Sequence, residues 1–205
     1  MGRKEQAVMK YLNKKYACFE EEFEIVGAEY AGFRGLSDVF YMRAKSLGNR
    51  RMDAKRVSGK YLDNYMHLRL LKEYEEWITP IYQEQFGPCK CICSDGVYAL
   101  DRFTPSTTFE EFIHSPYNGI KETILLQDDK NNAIDFVVKC MRENQIPHGY
   151  FRIKVMTEPE DMKKITCMEE LEKYEEERKD MYVSHILYKI KDYEVYEVID
   201  KGTEE

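Results

Sequence analysis

No apolar run in this chain approaches the ~20 residues that a membrane span requires, the longest lying around Ile124-Leu125-Leu126. No hydrophobic segment of the kind that marks a signal peptide opens it, and Gly2 is followed by Gln6 where a myristoylation signal wants Ser or Thr. The chain is therefore expected to be soluble, with no membrane span. Glycine-rich phosphate loops, dinucleotide fingerprints and the Gly-x-Ser-x-Gly elbow are all missing, which counts against the commonest nucleotide-dependent and hydrolytic enzymes. Histidine is scarce: His67, His114, His148 and His185 are scattered, with no pair at a metal-binding spacing on one helix or strand.

Cysteine is not abundant enough for a disulfide-stapled secreted scaffold, but three of the six fall in Cys89-Lys90-Cys91-Ile92-Cys93. Recurrence at every second residue is the repeat of a β-strand. Extended backbone advances roughly 3.3 Å per residue, so Cys89 and Cys93 stand about 13 Å apart on one face, whereas two thiolates on one zinc lie within ~4 Å. A strand burying three small apolar side chains is the simpler reading. A thiol-based metal site would need Cys18, Cys140 or Cys167 brought to that strand by the fold. Reduced thiols suit a cytoplasm, the expected compartment, with the cell envelope as the alternative. No cofactor is expected.

What the chain does have is material for a core and an uneven charge. Hydrophobic residues make up 43% of its 205 positions, including 16 Tyr and 10 Phe, enough for one larger domain or two small ones. The net charge of −7 argues against general nucleic-acid affinity. It conceals a basic segment, in which Arg43, Lys45, Arg50, Arg51, Lys55, Arg56 and Lys60 face the single acid Asp53, leaving that segment at +6 and the rest at −13. The run from Glu169 to Asp180 leans the other way and offers an intramolecular counterweight.

Periodicity places the elements. Val8, Leu12 and Tyr16 predict an amphipathic first helix over 3–16. Val39 to Met42 and Met52 to Val57 predict a hairpin across Leu47-Gly48-Asn49, with the basic residues on its arms and tip. Asp63 is placed to cap a helix from about Tyr65 to Phe86, kinked or restarted at Pro80 and ended by Gly87-Pro88. In the second half, a strand at Ile120 to Leu126, a helix at Asn132 to Asn144 and a strand at Tyr150 to Met156 predict a crossover between parallel neighbours. Asp128-Asp129 reads as a turn and helix cap rather than a metal site. Thr166 with Glu169 predicts a capped acidic helix, followed by strands at Tyr182 to Ile190 and Tyr193 to Ile199. The expected class is α+β, mostly antiparallel with one parallel pair. Its expected organisation is an N-terminal half over 1–104, a C-terminal half over 105–200 and a disordered tail over 201–205.

The stretch Tyr11-Leu12-Asn13-Lys14-Lys15-Tyr16 leading to Phe23-Glu24-Ile25-Val26, with Asp63-Asn64-Tyr65 and Gln85-Phe86-Gly87, resembles uncharacterised proteins of Gram-positive Firmicutes, some with an N-terminal membrane or lipoprotein anchor. The likeness runs to about Asp95 and carries no catalytic motif, so it implies an origin and transfers no functional residue. The function expected from the residues themselves is non-enzymatic binding of a protein partner through the basic hairpin, by Arg43, Lys45, Arg50, Arg51, Lys55 and Arg56. The alternative is an enzyme or small-ligand protein with its site at the junction of the halves, near Cys91, His148 and the Asp128 turn.

Overall fold

Val8, Leu12 and Tyr16 recur every fourth residue, and helix α1 (Arg3–Lys15) with the residue that closes it buries all three. The computed structural model of the chain describes residues 1–31, 37–94, 100–126, 133–146, 148–178 and 182–200. Asp128-Asp129, for which a turn is expected, and the tail 201–205 lie outside them. The backbone divides into two compact units, one comprising Met1–Leu70 with Val97–Thr108, the other Leu71–Gly96 with Phe109–Glu205. Among the described residues no helix is long and apolar enough to cross a membrane.

The first unit holds an antiparallel meander, β1 (Phe23–Glu29), β2 (Asp38–Ala44), β3 (Arg51–Val57) and β4 (Lys60–Asp63), paired in that order. Alternation turns Phe40, Met42, Ala44, Met52 and Ala54 into the core, where Phe23, Tyr16 and Tyr65 form an aromatic cluster. The β3–β4 connection is Ser58-Gly59, both at positive φ, the backbone that a two-residue hairpin loop demands. β4 is an addition to the elements legible in the sequence.

Helix α2 (Tyr65–Phe86) starts in the first unit and continues in the second. The Asp63 carboxylate accepts from the Tyr65 amide at 3.0 Å, as expected of a cap. Pro80 sits inside one uninterrupted helix, and Gly87 ends it at φ +77°, its N–H returning to the Gln83 carbonyl.

The second unit is a five-stranded sheet in the order β5 (Cys89–Cys93), β6 (Lys121–Leu126), β7 (His148–Met156), β8 (Tyr182–Lys191) and β9 (Glu194–Asp200). Only β6 and β7 run parallel, and α4 (Ala133–Glu143) lies between them in sequence, the crossover the pattern predicts. One face carries Cys89, Cys91 and Cys93 opposite Leu126, Ile124 and Glu122; Tyr74 and Tyr82 of α2 reach Glu122 on this side. The other face packs Ile92, Leu125 and Met156 against Met162, Ile165, Met168 and Leu171, from a 3₁₀ segment (Pro159–Lys164) and helix α5 (Met168–Glu177). A short helix α3 (Phe109–Ile113) completes the unit. The cap of α5 differs from expectation by one residue: the helix starts at Met168, so Thr166 N–H and Oγ donate to Glu170 rather than Glu169. Glu175 of this acidic helix is committed to Lys154 of the same unit, whose ammonium also lies 4.4 Å from the Tyr182 ring.

Candidate functional site

The β2–β3 hairpin forms where the alternating pattern places it, with a 3₁₀ turn over Lys45–Leu47 and Gly48 at positive φ. Cross-strand register then distributes the six candidate residues over different surroundings. Arg43 stands opposite Arg51, Tyr41 opposite Asp53 and Val39 opposite Lys55, so Arg43, Arg51 and Lys55 share the solvent face with Tyr41. Arg56 pairs with Asp38 across the strands and belongs by alternation to the other face, its guanidinium 6.0 Å from the Tyr61 ring at the sheet's end. Lys45 is at the turn. Arg50 is only 5% exposed, so the structure places it in the interior rather than on the surface.

The charge of this face is not that of the basic segment in isolation. Pairing β1 with β2 returns acids that lie outside the segment. Glu24 stands opposite Arg43, Glu22 binds Lys45 at 2.9 Å, and Glu29 accepts from the Tyr41 hydroxyl at 2.5 Å. Asp53 adds a contact to Arg51 at 3.7 Å; burial raises its carboxyl above the ordinary range, against the pull of that arginine. Arg51 stacks 4.7 Å above the Tyr41 ring, and the bond to Glu29 raises the Tyr41 phenol. A shallow depression of about 290 Å³ beside the turn is lined by Glu22 and Glu24 as well as Arg43 and Lys45. The result is a mixed-charge face with an Arg–Tyr stack at its centre.

The cysteine strand has the geometry its repeat predicts, and its chemistry is closed. Cys91 Sγ lies 3.4 Å from Glu122 in the interior, and burial pushes its thiol well above the usual value, away from the thiolate a nucleophile or metal ligand needs. Glu122 is buried among Tyr74, Tyr82 and Cys91, with the Tyr82 hydroxyl donating at 3.0 Å, and burial pushes its carboxyl up to about 7. Among the described residues no three His, Cys, Asp or Glu side chains are placed to hold a metal ion. His67 stacks on Phe103 at 5.7 Å in the interior of the first unit, burial lowering its ring to about 4, and His114 Nε2 meets the Asn144 carbonyl at 3.2 Å. His148 begins β7, but its side chain, like Asp128, is outside the described set.

Sequence reasoning missed the polar centre of the first unit. Asp63, read only as a helix cap, also accepts from Lys15 at 2.7 Å, Tyr11 at 2.8 Å and Tyr16 at 2.6 Å. Lys15 and Tyr11, both in the first helix, carried no local signal of this.

No family model and no curated protein matches the chain. Among solved structures, it is similar to a DUF5037 family protein from Ruminococcus gnavus ATCC 29149, with a TM-score of 0.55 and 10% identity over 92% of each chain. At that identity the likeness is one of fold. It places the α+β arrangement beside that of a Firmicutes protein family whose name carries no function.

Proposed function

We propose that this protein acts by binding a protein partner, not by catalysis, and that the partner docks on the solvent face of β1–β3 through Arg43, Arg51 and Lys55 around Tyr41. The observation that carries the reading is the Arg51–Tyr41 stack, since arginine and tyrosine are the side chains that concentrate interface energy and this pair is held in place before any partner arrives. The interleaved acids favour a protein over nucleic acid, because a polyphosphate needs uncompensated cations while a protein surface can match both signs. Lys45 and Arg56 act at the rim, and Arg50 supports the turn from inside. The reading takes the protein to be cytoplasmic in a Gram-positive bacterium, with the cell envelope as the alternative compartment.

A photo-crosslinking side chain at Val39, on this face, tests it in the producing cell against the same group at Lys10 on α1. A discrete adduct from Val39 alone, lost with R43S/R51S and weakened by high salt, is the expected result. Equal adducts from both positions, or an adduct indifferent to R43S/R51S, overturns the reading.

A further inference from the structure

The second unit exposes a different kind of basic site. On the sheet face that α5 partly covers, register aligns Lys121 of β6, Tyr150 of β7 and Lys189 of β8 in one row, and Thr123, Arg152 and Leu187 in the next. The α5 end of that face is closed over the apolar cluster of Leu125 and Met156, with Lys154 tied to Glu175. The other end is open, and a concavity of about 290 Å³ lies there, lined by both rows together with Ser94 and Glu122.

Adjacent strands lie about 4.8 Å apart and successive same-face residues about 6.6 Å, so Lys121, Arg152 and Lys189 converge from three corners on one small volume. Lys189 is bound to Glu197 at 2.6 Å. Lys121 stands 5.8 Å from the Tyr150 ring. No carboxylate is bound to Lys121 or Arg152 among the described residues, and alternation sends the Glu122 carboxylate to the opposite face, onto Tyr74 and Tyr82. Three cations with one acid between them, on neighbouring strands, repel one another and weaken the fold unless an anion joins them. This differs from the hairpin face, where acids alternate with bases. Tyr150, whose hydroxyl also meets Tyr196, adds a polar group, and Arg152 a planar fork; Thr123, 1% exposed, forms the floor beneath them.

We propose that this concavity binds a phosphate group, as the dianion of a phosphate monoester, with Arg152 and Lys121 as its principal partners, Lys189 as the third charge, and the Tyr150 hydroxyl as a further donor. Phosphate suits it better than a carboxylate because its near-double charge and three terminal oxygens match three cations arranged around one point. The strands fix the register of all three, so the site is formed before the ligand binds.

Calorimetric titration of the intact chain with inorganic phosphate, at constant ionic strength set by chloride, tests the proposal. Saturable one-to-one binding is expected, roughly tenfold or more weaker in R152S and in K121S, and unchanged in the hairpin variant R43S/R51S. Thermal melts of R152S without phosphate supply the second readout: relief of repulsion should leave its midpoint equal to or above the parent's, while the phosphate-induced rise is lost. Absence of saturable binding by the parent, equal affinity for acetate, or equal weakening by R43S/R51S overturns the proposal.

Discussion

Asp63 in the first unit and Glu122 in the second are the most deeply buried carboxylates described in each, and the two are accommodated in opposite ways. Asp63 in the first unit has a fully buried side chain and meets the Lys15 ammonium at 2.7 Å, two tyrosine hydroxyls and a main-chain N–H. Glu122 in the second unit is 1% exposed and meets two tyrosine hydroxyls and a thiol, with no cation among its partners in the described residues. The first unit compensates its buried charge; the second raises the carboxyl to about 7 and so lets a proton remove the charge. Similar burial therefore gives the two units different responses to mutation and to pH.

The largest effect should come from removing the cation that makes the difference. Lys15 bridges Asp63 and Asp101, at 2.7 and 2.5 Å, and Lys15→Ala leaves a buried carboxylate without its counter-ion. Losing one partner of such a pair costs about 3 kcal/mol or more, read from the shift in denaturation midpoint at unchanged slope. A loss below about 1 kcal/mol would mean that the tyrosines alone hold Asp63, and the contrast between units would collapse.

The pH responses should run in opposite directions. Glu122 has a folded value near 7 against an ordinary 4.5, so the folded state holds its proton more tightly; the stability this gives is complete in acid and is lost as pH rises from about 4.5 to about 7. His67 in the first unit has a folded value near 4 against 6.5, so its contribution is complete above 6.5 and lost as pH falls towards 4. Each shift corresponds to roughly 3 kcal/mol at most. Amide exchange, followed separately in the two units between these limits, should show the first unit gaining protection and the second losing it as pH rises. Glu122→Gln should flatten the second response and leave the first unchanged. Parallel responses would contradict the assignment.

These contrasts mark what is readable in the sequence. Helices α1 and α2, the cysteine strand and the strand–helix–strand crossover were legible because each depends on local periodicity or capping. β4 has only four residues, too short for a period to show. The polar centre at Asp63 joins residues 48 positions apart, and nothing local announces it. Charge counting along the basic segment left out Glu22, Glu24 and Glu29, because those acids come from a neighbouring strand whose register only the fold defines. For the same reason Lys121, Arg152 and Lys189 are scattered in sequence and assembled in space. Within β7 the buried Phe151, Ile153 and Val155 leave Arg152 on the other side of the sheet, and what stands beside it there depends on the neighbouring strands.

Removing one tyrosine from each carboxylate sharpens the comparison at smaller amplitude. Tyr16→Phe takes a donor from Asp63, which Lys15 still pairs, and should cost about 1.5–3 kcal/mol. Tyr82→Phe takes a donor from Glu122, whose bond with that hydroxyl favours the charged form. Glu122 should then hold its proton to higher pH, making the cost at pH 5 about 1 kcal/mol and larger at pH 8. Denaturation of both variants at the two pH values decides this, and a pH-independent cost for Tyr82→Phe would contradict it.

The smallest effect is expected where the ion-pair geometry is nearly the same but the surroundings are not. Lys45 meets Glu22 at 2.9 Å, close to the 2.7 Å between Lys15 and Asp63, yet the Lys45 and Glu22 side chains are 72% and 73% exposed against 19% and 0%. Water already solvates both ends of the exposed pair, and fixing two long side chains consumes what attraction salt leaves, so Lys45→Ser should leave stability unchanged within the error of a denaturation curve. A chemical denaturation curve that overlays the parent's is the expected result. Such a variant removes a charge at the hairpin without disturbing the fold, so any loss of partner binding it causes can be assigned to the surface itself. A loss comparable to that of Lys15→Ala would show that distance alone, and not burial, sets the strength of these pairs.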